Sequence, residues 1–385
     1  MRMNTIESGR NAQEIFKTNA VSLFEAVDPY NPGNHVSGWL CRAEGAFYGS
    51  LLINEVNGGE APMLVRGTPK IGYPFDKQGR WTFPSAKKIN AYEKLDGTNI
   101  LEFEYYNSLG FKFVSYKTRL LPFLRDGGKW GDFKSMWDRM IERHPAIPTL
   151  CKVNGCNVSF ELYGSANPHL ILYEVPLETA ILFGVNNAGK IIDLYNINDC
   201  KVPRAKLMAT IDGQYVESYQ WQKSEMQKKL VVLVDGESYR GIEGQVWYMT
   251  LEDGSVVQFK CKPDEIESIH FSQGRRLSKT TIVSTCLNAL ENTDVLSYDF
   301  IVELLAEEYS RELISLSKDL ILDTVKKVQR DLEFKQTVIA AYREAGVNIL
   351  VDKRTAMRAM STYFPKTEIT RVYSAIMAYE TIGKK

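Results

Sequence analysis

Tyr92-Glu93-Lys94-Leu95-Asp96-Gly97-Thr98-Asn99 is the stretch on which the reading of this chain turns. Upstream, Ile89, Ala91 and Leu95 alternate with polar neighbours. Downstream, Ile100, Leu101, Phe103 and Tyr105 lead into an aromatic-rich run. The pattern predicts strand, tight turn, strand, with Lys94 near the turn. Gly97 lets the backbone pass where a side chain would clash. A lysine so placed becomes a nucleophile if burial or nearby positive charge lowers its pKa. Taken alone, a stretch this short reads better as an ordinary β-turn with a surface lysine.

Working outward, the chain has 385 residues, enough for two domains. At 44% hydrophobic and 24% charged it has the composition of a soluble globular protein. Lys and Arg number 47 against 47 Asp and Glu, so nothing pulls the whole molecule toward nucleic acid. Binding of that kind has to rest on a local basic groove. No long apolar run or signal-peptide pattern is present, so no membrane association is expected and the cytoplasm is the expected location, the host's if the chain is phage-encoded. The cysteines Cys41, Cys151, Cys156, Cys200, Cys261 and Cys286 contain no CxxC pair, and the histidines form no cluster. Free thiols are expected rather than a zinc site.

Residues 9–28 carry a broad apolar face and predict a helix. Strands are expected at 36–41, 46–53 and 62–67, and again from Phe111 to Tyr116. A helix is expected over 130–143 and a strand over 157–163. Hairpins are expected around Asn186-Asn187-Ala188-Gly189 and Glu252-Asp253-Gly254, with a helix in the second half of 204–230. Past residue 275 no strand pattern appears. Segments 278–291, 298–310, 311–345 and 354–382 predict helices, and the domain boundary is placed at 265–275.

Polar residues recur at strand ends in a fixed order through the first part of the chain. They are Lys94; Arg119 in Lys117-Thr118-Arg119; Glu161 in Phe160-Glu161-Leu162-Tyr163-Gly164; Glu243 in Glu243-Gly244-Gln245-Val246; and Lys260 and Lys262 in Lys260-Cys261-Lys262, on one face of a strand. Phe183 lies inside an apolar strand, where plain core is the better reading of that residue alone. The ordered set resembles the covalent nucleotidyltransferase superfamily of ATP-dependent RNA and DNA ligases and mRNA capping enzymes. Asn99 after the KxDG element, and Val65-Arg66-Gly67-Thr68-Pro69-Lys70-Ile71 upstream, look most like archaeal and phage RNA ligases. Leu120-Leu121 after Arg119 departs from the archaeal pattern. The helical C-terminal part stands where DNA ligases and capping enzymes carry a β-barrel.

The resemblance implies an α+β fold: an antiparallel-sheet nucleotidyltransferase (adenylyltransferase) domain over 62–270, an N-terminal helix and strands over 1–61 packed on it, and an all-helical domain over 271–385. It implies an RNA ligase acting in RNA repair, with ATP and Mg2+ or Mn2+ as cofactors. Lys94 would become a lysyl-AMP, AMP would pass to a 5′-phosphate, and a 3′-hydroxyl would displace it. A lysine ordinarily titrates at about 10.4, so Lys94 would have to be deprotonated with the help of metal and of Lys260 and Lys262. Those two lysines would also neutralise the α-phosphate. Glu243 would bind metal through water, and Asp96 would orient Lys94 or hold a metal-bound water. Glu161 would take the ribose hydroxyl, Phe183 would stack on adenine (Phe160 and Tyr163 being competitors), and the backbone at Glu93 would read the base. Asn99, Arg119 and Arg66 would contact phosphates or the reacting ends. Lys129, Lys134, Arg275, Arg276 and Lys279 read equally as the lining of a groove for RNA backbone and as a solvated basic linker, and single-stranded RNA or DNA ends are the implied substrates. A nicked-duplex or DNA ligase, an inactive nucleic-acid-binding homologue, and a dimer through the helical domain stay open.

Overall fold

The computed structural model describes residues 5–76, 79–125, 133–167, 169–233, 239–270, 277–290, 293, 295–306, 309 and 311–382. Helix α1 (Thr5–Phe16) comes first. It is followed by an antiparallel sheet of β1 (Val21–Val27), β2 (His35–Cys41), β3 (Leu51–Val56) and β4 (Gly59–Val65), adjacent in that order. The helix expected over 9–28 is therefore shorter. Lys17 takes a left-handed backbone conformation (φ 55°) just after α1, and β1 pairs with β2 from Val21↔Cys41 to Val27↔His35. Pairing with a neighbouring strand overrides the local helical pattern of these apolar residues.

A second sheet follows the order β10-β9-β8-β6-β7 and a third the order β11-β5-β14-β15. Their strands are β5 (Lys88–Lys94), β6 (Thr98–Tyr106), β7 (Lys112–Lys117), β8 (Asn157–Tyr163), β9 (Glu178–Val185), β10 (Ile191–Ile192), β11 (Leu207–Ile211), β14 (Gly244–Thr250) and β15 (Val256–Cys261). The short pair β12 (Val231–Val232) and β13 (Tyr239–Arg240) stands apart. Both expected hairpins form, as β9–β10 and β14–β15. The strand, turn, strand around Lys94 is also present, but its strands do not pair with each other. β5 belongs to the third sheet and β6 to the second, so the Leu95–Gly97 turn carries the chain from one sheet to the other.

Helices α2 (Phe133–Arg143) and α3 (Leu150–Asn154) precede β8, and α4 (Tyr215–Lys229) follows β11. Met136, Trp137 and Met140 of α2 share one core with Ile100, Phe160 and Phe183 of the second sheet and Tyr92, Val246 and Tyr248 of the third. On the third sheet's other face, Ala91, Trp247, Met249 and Cys261 pack with Tyr219 and Met226 of α4. Strand alternation thus assigns Tyr92 and Lys94, Val246 and Tyr248, and Lys260 to the face turned away from α4. The first sheet is tied to the second by Asp28, which is fully buried. It accepts hydrogen bonds from Tyr105 Oη (2.7 Å), Ser115 Oγ (2.8 Å), Asn31 Nδ2 (2.8 Å) and the Tyr30 N–H (2.9 Å). A buried carboxylate is tolerated because donors replace its lost water.

After α5 (Asp264–His270) the described residues are helical: α6 (Lys279–Ala289), α7 (Tyr298–Ala306), α8 (Arg311–Leu316), α9 (Lys318–Glu344), α10 (Lys353–Met360) and α11 (Ile369–Ile382). The helix expected over 311–345 is broken at Ser317, and the one over 354–382 around Pro365, whose fixed φ and missing N–H interrupt it. Ser278 and Asp352 cap α6 and α10 by accepting the Thr281 and the Arg354 and Thr355 N–H groups. Residues of α6 and α7 pack on the first half of α9, while α10 and α11 pack on its second half. No described helix is long and apolar enough to cross a membrane. All six cysteines are free thiols.

Candidate active site

Register puts the chemistry in one row. Gly244 of β14 stands opposite Lys94 of β5, and its neighbour Gln245 stands opposite Cys261 of β15, which Lys262 follows. Lys94, Gly244 and Lys262 therefore lie side by side across the ends of three adjacent strands. The central glycine leaves space between the lysines. A Cβ there would lie 2.5 Å from the Cys261 carbonyl oxygen and 3.2 Å from Lys262 Cγ. Glu243, one residue before the row, receives both cations: Lys94 Nζ on Oε2 at 2.5 Å and Lys262 Nζ on Oε1 at 2.7 Å. Glu243 and Lys262 are buried, and Lys94 is a quarter exposed.

The row faces a cleft of about 360 Å³, within the range of small-molecule sites. From the third sheet Tyr92, Glu93, Lys94, Val246, Tyr248, Lys260 and Lys262 line it; from the second, Asn99, Glu161, Leu182 and Phe183; and from the loops, Tyr48, Lys70 and Arg119. The cleft thus brings together the sequence-predicted site residues except Arg66 and Asp96, which are not among those lining it. Arg66 lies over the Phe47 ring at 4.2 Å and donates from Nε to the Asn187 carbonyl at 3.2 Å. Phe183 lines the cleft yet is only 3% exposed, most of its ring lying in the core. Phe160 packs against Trp137 and Tyr163 against Tyr173.

Gly97 is needed for close approach rather than for an unusual φ. A Cβ on it would stand 2.2 Å from the Leu162 carbonyl oxygen, where β6 begins to pair with β8. Its N–H donates to Glu161 Oε1 at 3.0 Å, so Glu161 holds the turn that carries Lys94. Asp96 reaches away from the row: its Oδ2 accepts the Ile171 N–H at 2.7 Å, and its own N–H donates to Tyr173 Oη at 2.7 Å. Asn99 donates from Nδ2 to Ser159 Oγ (2.8 Å) and to the Phe160 carbonyl (3.1 Å). A carbonyl only accepts, which fixes the orientation of the amide. Asn99 Oδ1 is left buried with no hydrogen-bond partner.

Electrostatics around Lys94 run opposite to the sequence-based expectation. Burial works against its ammonium, but the carboxylates of Glu243, Glu161 and Asp96 outweigh burial and raise the pKa above the ordinary lysine value. Lys262 reaches Glu243 rather than acting on Lys94, and Lys260 Nζ lies over the Tyr73 ring at 4.4 Å. Burial pushes Glu243 up, yet Lys262 and Lys94 override it and bring it down to about 2. Asp96 is raised to about 6 by burial and by Glu243, with Lys94 partly offsetting them.

Glu243 and Asp96, the expected metal ligands, are otherwise engaged in this structure. Both oxygens of Glu243 are held by ammonium groups, and an Asp96 oxygen by a backbone N–H. Among the described residues no group of three or more His, Cys, Asp or Glu is placed to hold a metal ion. These bonds oppose direct ligation by the two carboxylates; contact through water is what the resemblance implies for both.

Sequence reasoning missed several contributors. Arg119 is aimed by Lys117, which is buried and donates to the carbonyls of Gly49 (2.9 Å), Thr118 (2.7 Å) and Arg119 (3.0 Å). Burial, then Arg119, lowers its pKa to about 7. Alternation from Phe113 through Ser115 to Lys117 was the available signal. Tyr92 was also missed; its hydroxyl donates to Asp193 Oδ1 at 2.6 Å. Part of the cleft wall comes from α6 and α7, and nothing local to those helices marks it. Of the expected basic groove, Lys129, Arg275 and Arg276 lie outside the described residues, and Lys134 pairs with Asp138 at 2.7 Å.

No protein-family model matches the chain, and no curated protein matches it. Solved structures do. The chain is similar to an archaeal ATP-dependent RNA ligase, at 13% identity, covering 82% of this chain and 78% of that one, with a TM-score of 0.45. It is similar to a protein from Aquifex aeolicus described as an ATP-dependent DNA ligase, at 14% identity, 87% and 80% coverage and a TM-score of 0.43. It is similar to a mutant Naegleria gruberi RNA ligase with ATP and Mn, at 12% identity, 53% and 65% coverage and a TM-score of 0.32. The solved structures that resemble this chain thus include ATP-dependent ligases of both RNA and DNA.

Proposed function

We propose that the chain is an ATP-dependent RNA ligase that joins a 5′-phosphate to a 3′-hydroxyl. The observation that carries the reading is the row of Lys94 and Lys262 on one buried carboxylate, facing a cleft with Asn99 and Glu161 on another wall. In this reading Lys94 Nζ attacks the α-phosphorus of ATP. The ammonium first loses a proton to solvent, which exposes the lone pair. A P–N bond then forms, the bond from the α-phosphorus to the bridging oxygen breaks, pyrophosphate leaves, and the P–N nitrogen loses a second proton to solvent. Glu243 Oε2 already holds a hydrogen of Nζ and fixes the direction of the attacking nitrogen. Lys260, Lys262 and Arg119 offset charge growing on the phosphate. A 5′-phosphate oxygen of the strand then attacks the lysyl-AMP and releases Lys94. A 3′-hydroxyl attacks that 5′-phosphorus, forming the phosphodiester and releasing AMP. A divalent ion would have to arrive on the nucleotide phosphates, and no step here is routed through one.

Asn99 after Lys94-Leu95-Asp96-Gly97, and helices where DNA ligases carry a β-barrel, favour RNA within this reading, as the resemblance to RNA ligases implies. The test is a comparison of single-stranded RNA and DNA oligonucleotides bearing 5′-phosphate and 3′-hydroxyl ends, incubated with ATP. Joined RNA is expected, with an adenylated 5′-end as intermediate and DNA joined more slowly. Equal joining of DNA would make it a DNA ligase; no joining and no adenylated end would remove the activity altogether.

A further inference from the structure

The helical segment supplies part of the cleft wall. Helix α6 presents Ser284, Thr285 and Asn288, and α7 presents Phe300 and Leu304. On α6 these are positions i, i+1 and i+4, one face of the helix. Ile282 and Cys286, both fully buried, occupy the opposite side in the helical core. The fold therefore turns a neutral polar face of α6 toward Lys94 and its partners.

That face decides between two ligands. A wall that holds a polynucleotide needs cations to take the place of its counterions. Among the described residues, none that lines the cleft from α6, α7 or Tyr309 is a lysine or arginine, whereas the sheets and loops contribute Lys70, Lys94, Arg119, Lys260 and Lys262. A face of hydroxyl, amide, aliphatic and aromatic groups suits the nucleoside part of a small ligand better than a polyanionic backbone. We infer that the α6–α7 face is a nucleotide-binding wall, in which Ser284 and Asn288 hydrogen-bond to the nucleoside triphosphate and which takes no part in holding RNA. The inference rests on the ATP reading above and assigns the helical segment a place within it.

Asn288 is exposed, so its replacement leaves the helical core intact. The probe is an ATP analogue with carbon bridging the α- and β-phosphates, which binds but cannot transfer AMP, titrated calorimetrically into the full chain. Asn288→Ala and Ser284→Ala are each expected to weaken its binding about fivefold, the worth of one hydrogen bond, while a 5′-phosphorylated RNA oligonucleotide changes by less than about twofold. Asn288→Trp, which fills the cleft, is expected to weaken the analogue further. Unchanged analogue affinity in Asn288→Trp, equal losses for analogue and oligonucleotide, or no binding of the analogue by the wild type would overturn the inference. A wild type that binds the analogue but is never labelled by ATP would instead overturn the lysyl-AMP reading and leave this wall standing.

Discussion

Glu243→Ala is expected to abolish labelling of the protein by ATP and to lower its stability by about 3 kcal/mol, because removing one partner strands the other charges in a buried site. Among the described residues this carboxylate is bonded to both ammonium ions of the row, at 2.5 and 2.7 Å. Without it Lys94 and Lys262 repel each other, and Nζ loses the contact that aims it. Glu243→Gln separates shape from charge: it keeps the volume but brings an N–H₂ group toward an ammonium, so labelling should stay lost. The pH dependence has a definite sign. Glu243 is held at about 2 in the fold against an ordinary 4.5. Its contribution is therefore complete above pH 4.5 and is lost as pH falls toward 2. Urea unfolding at about pH 7 and about pH 3 checks this. The gap between wild type and Glu243→Ala should be large at neutral pH and smaller in acid; a gap that does not change with pH would contradict the assignment.

Gly97→Ala is expected to be nearly as damaging, for a steric reason. The added Cβ would meet the Leu162 carbonyl oxygen at 2.2 Å and its carbonyl carbon at 2.9 Å, both backbone atoms of β8 that cannot rotate away. The turn has to lift off the second sheet, breaking the Gly97 N–H bond to Glu161 and moving Lys94, three residues earlier, out of its row. A stability loss on the order of 2 kcal/mol is expected from forced overpacking, together with a drop in labelling larger than unfolding explains at room temperature. Thermal unfolding and initial labelling rates on the same samples decide it. A stable variant that labels normally would show that the turn does not position Lys94.

The two glycine-bearing elements, Lys94-Leu95-Asp96-Gly97 and Glu243-Gly244, were legible through their resemblance to ligase motifs, and the strands beside them through local alternation. The hairpins at 186–189 and 252–254 were legible for the same local reason. What was not legible depends on elements meeting across the fold. β1 looked helical because Val21, Leu23, Phe24 and Val27 suit a helix face as well as a strand, and only pairing with β2 decides between them. The direction of the Lys94 shift was missed because Lys260 and Lys262 are close in sequence, while Asp96, Glu161 and Glu243 converge only in space. Asn99 stood out in the sequence, but its bonds to Ser159 Oγ and the Phe160 carbonyl arise only where β6 pairs with β8. The α6–α7 wall depends on how one folded unit docks on another, which no local pattern encodes.

The central claim is that Lys94 is the nucleophile. The direct measurement is incubation with ATP and magnesium, followed by proteolysis and mass spectrometry of wild type and Lys94→Ala. An acid-labile AMP adduct on the peptide containing Lys94, with pyrophosphate released and both lost in Lys94→Ala, is the expected result. An adduct on another residue, or labelling that survives in Lys94→Ala, would contradict it.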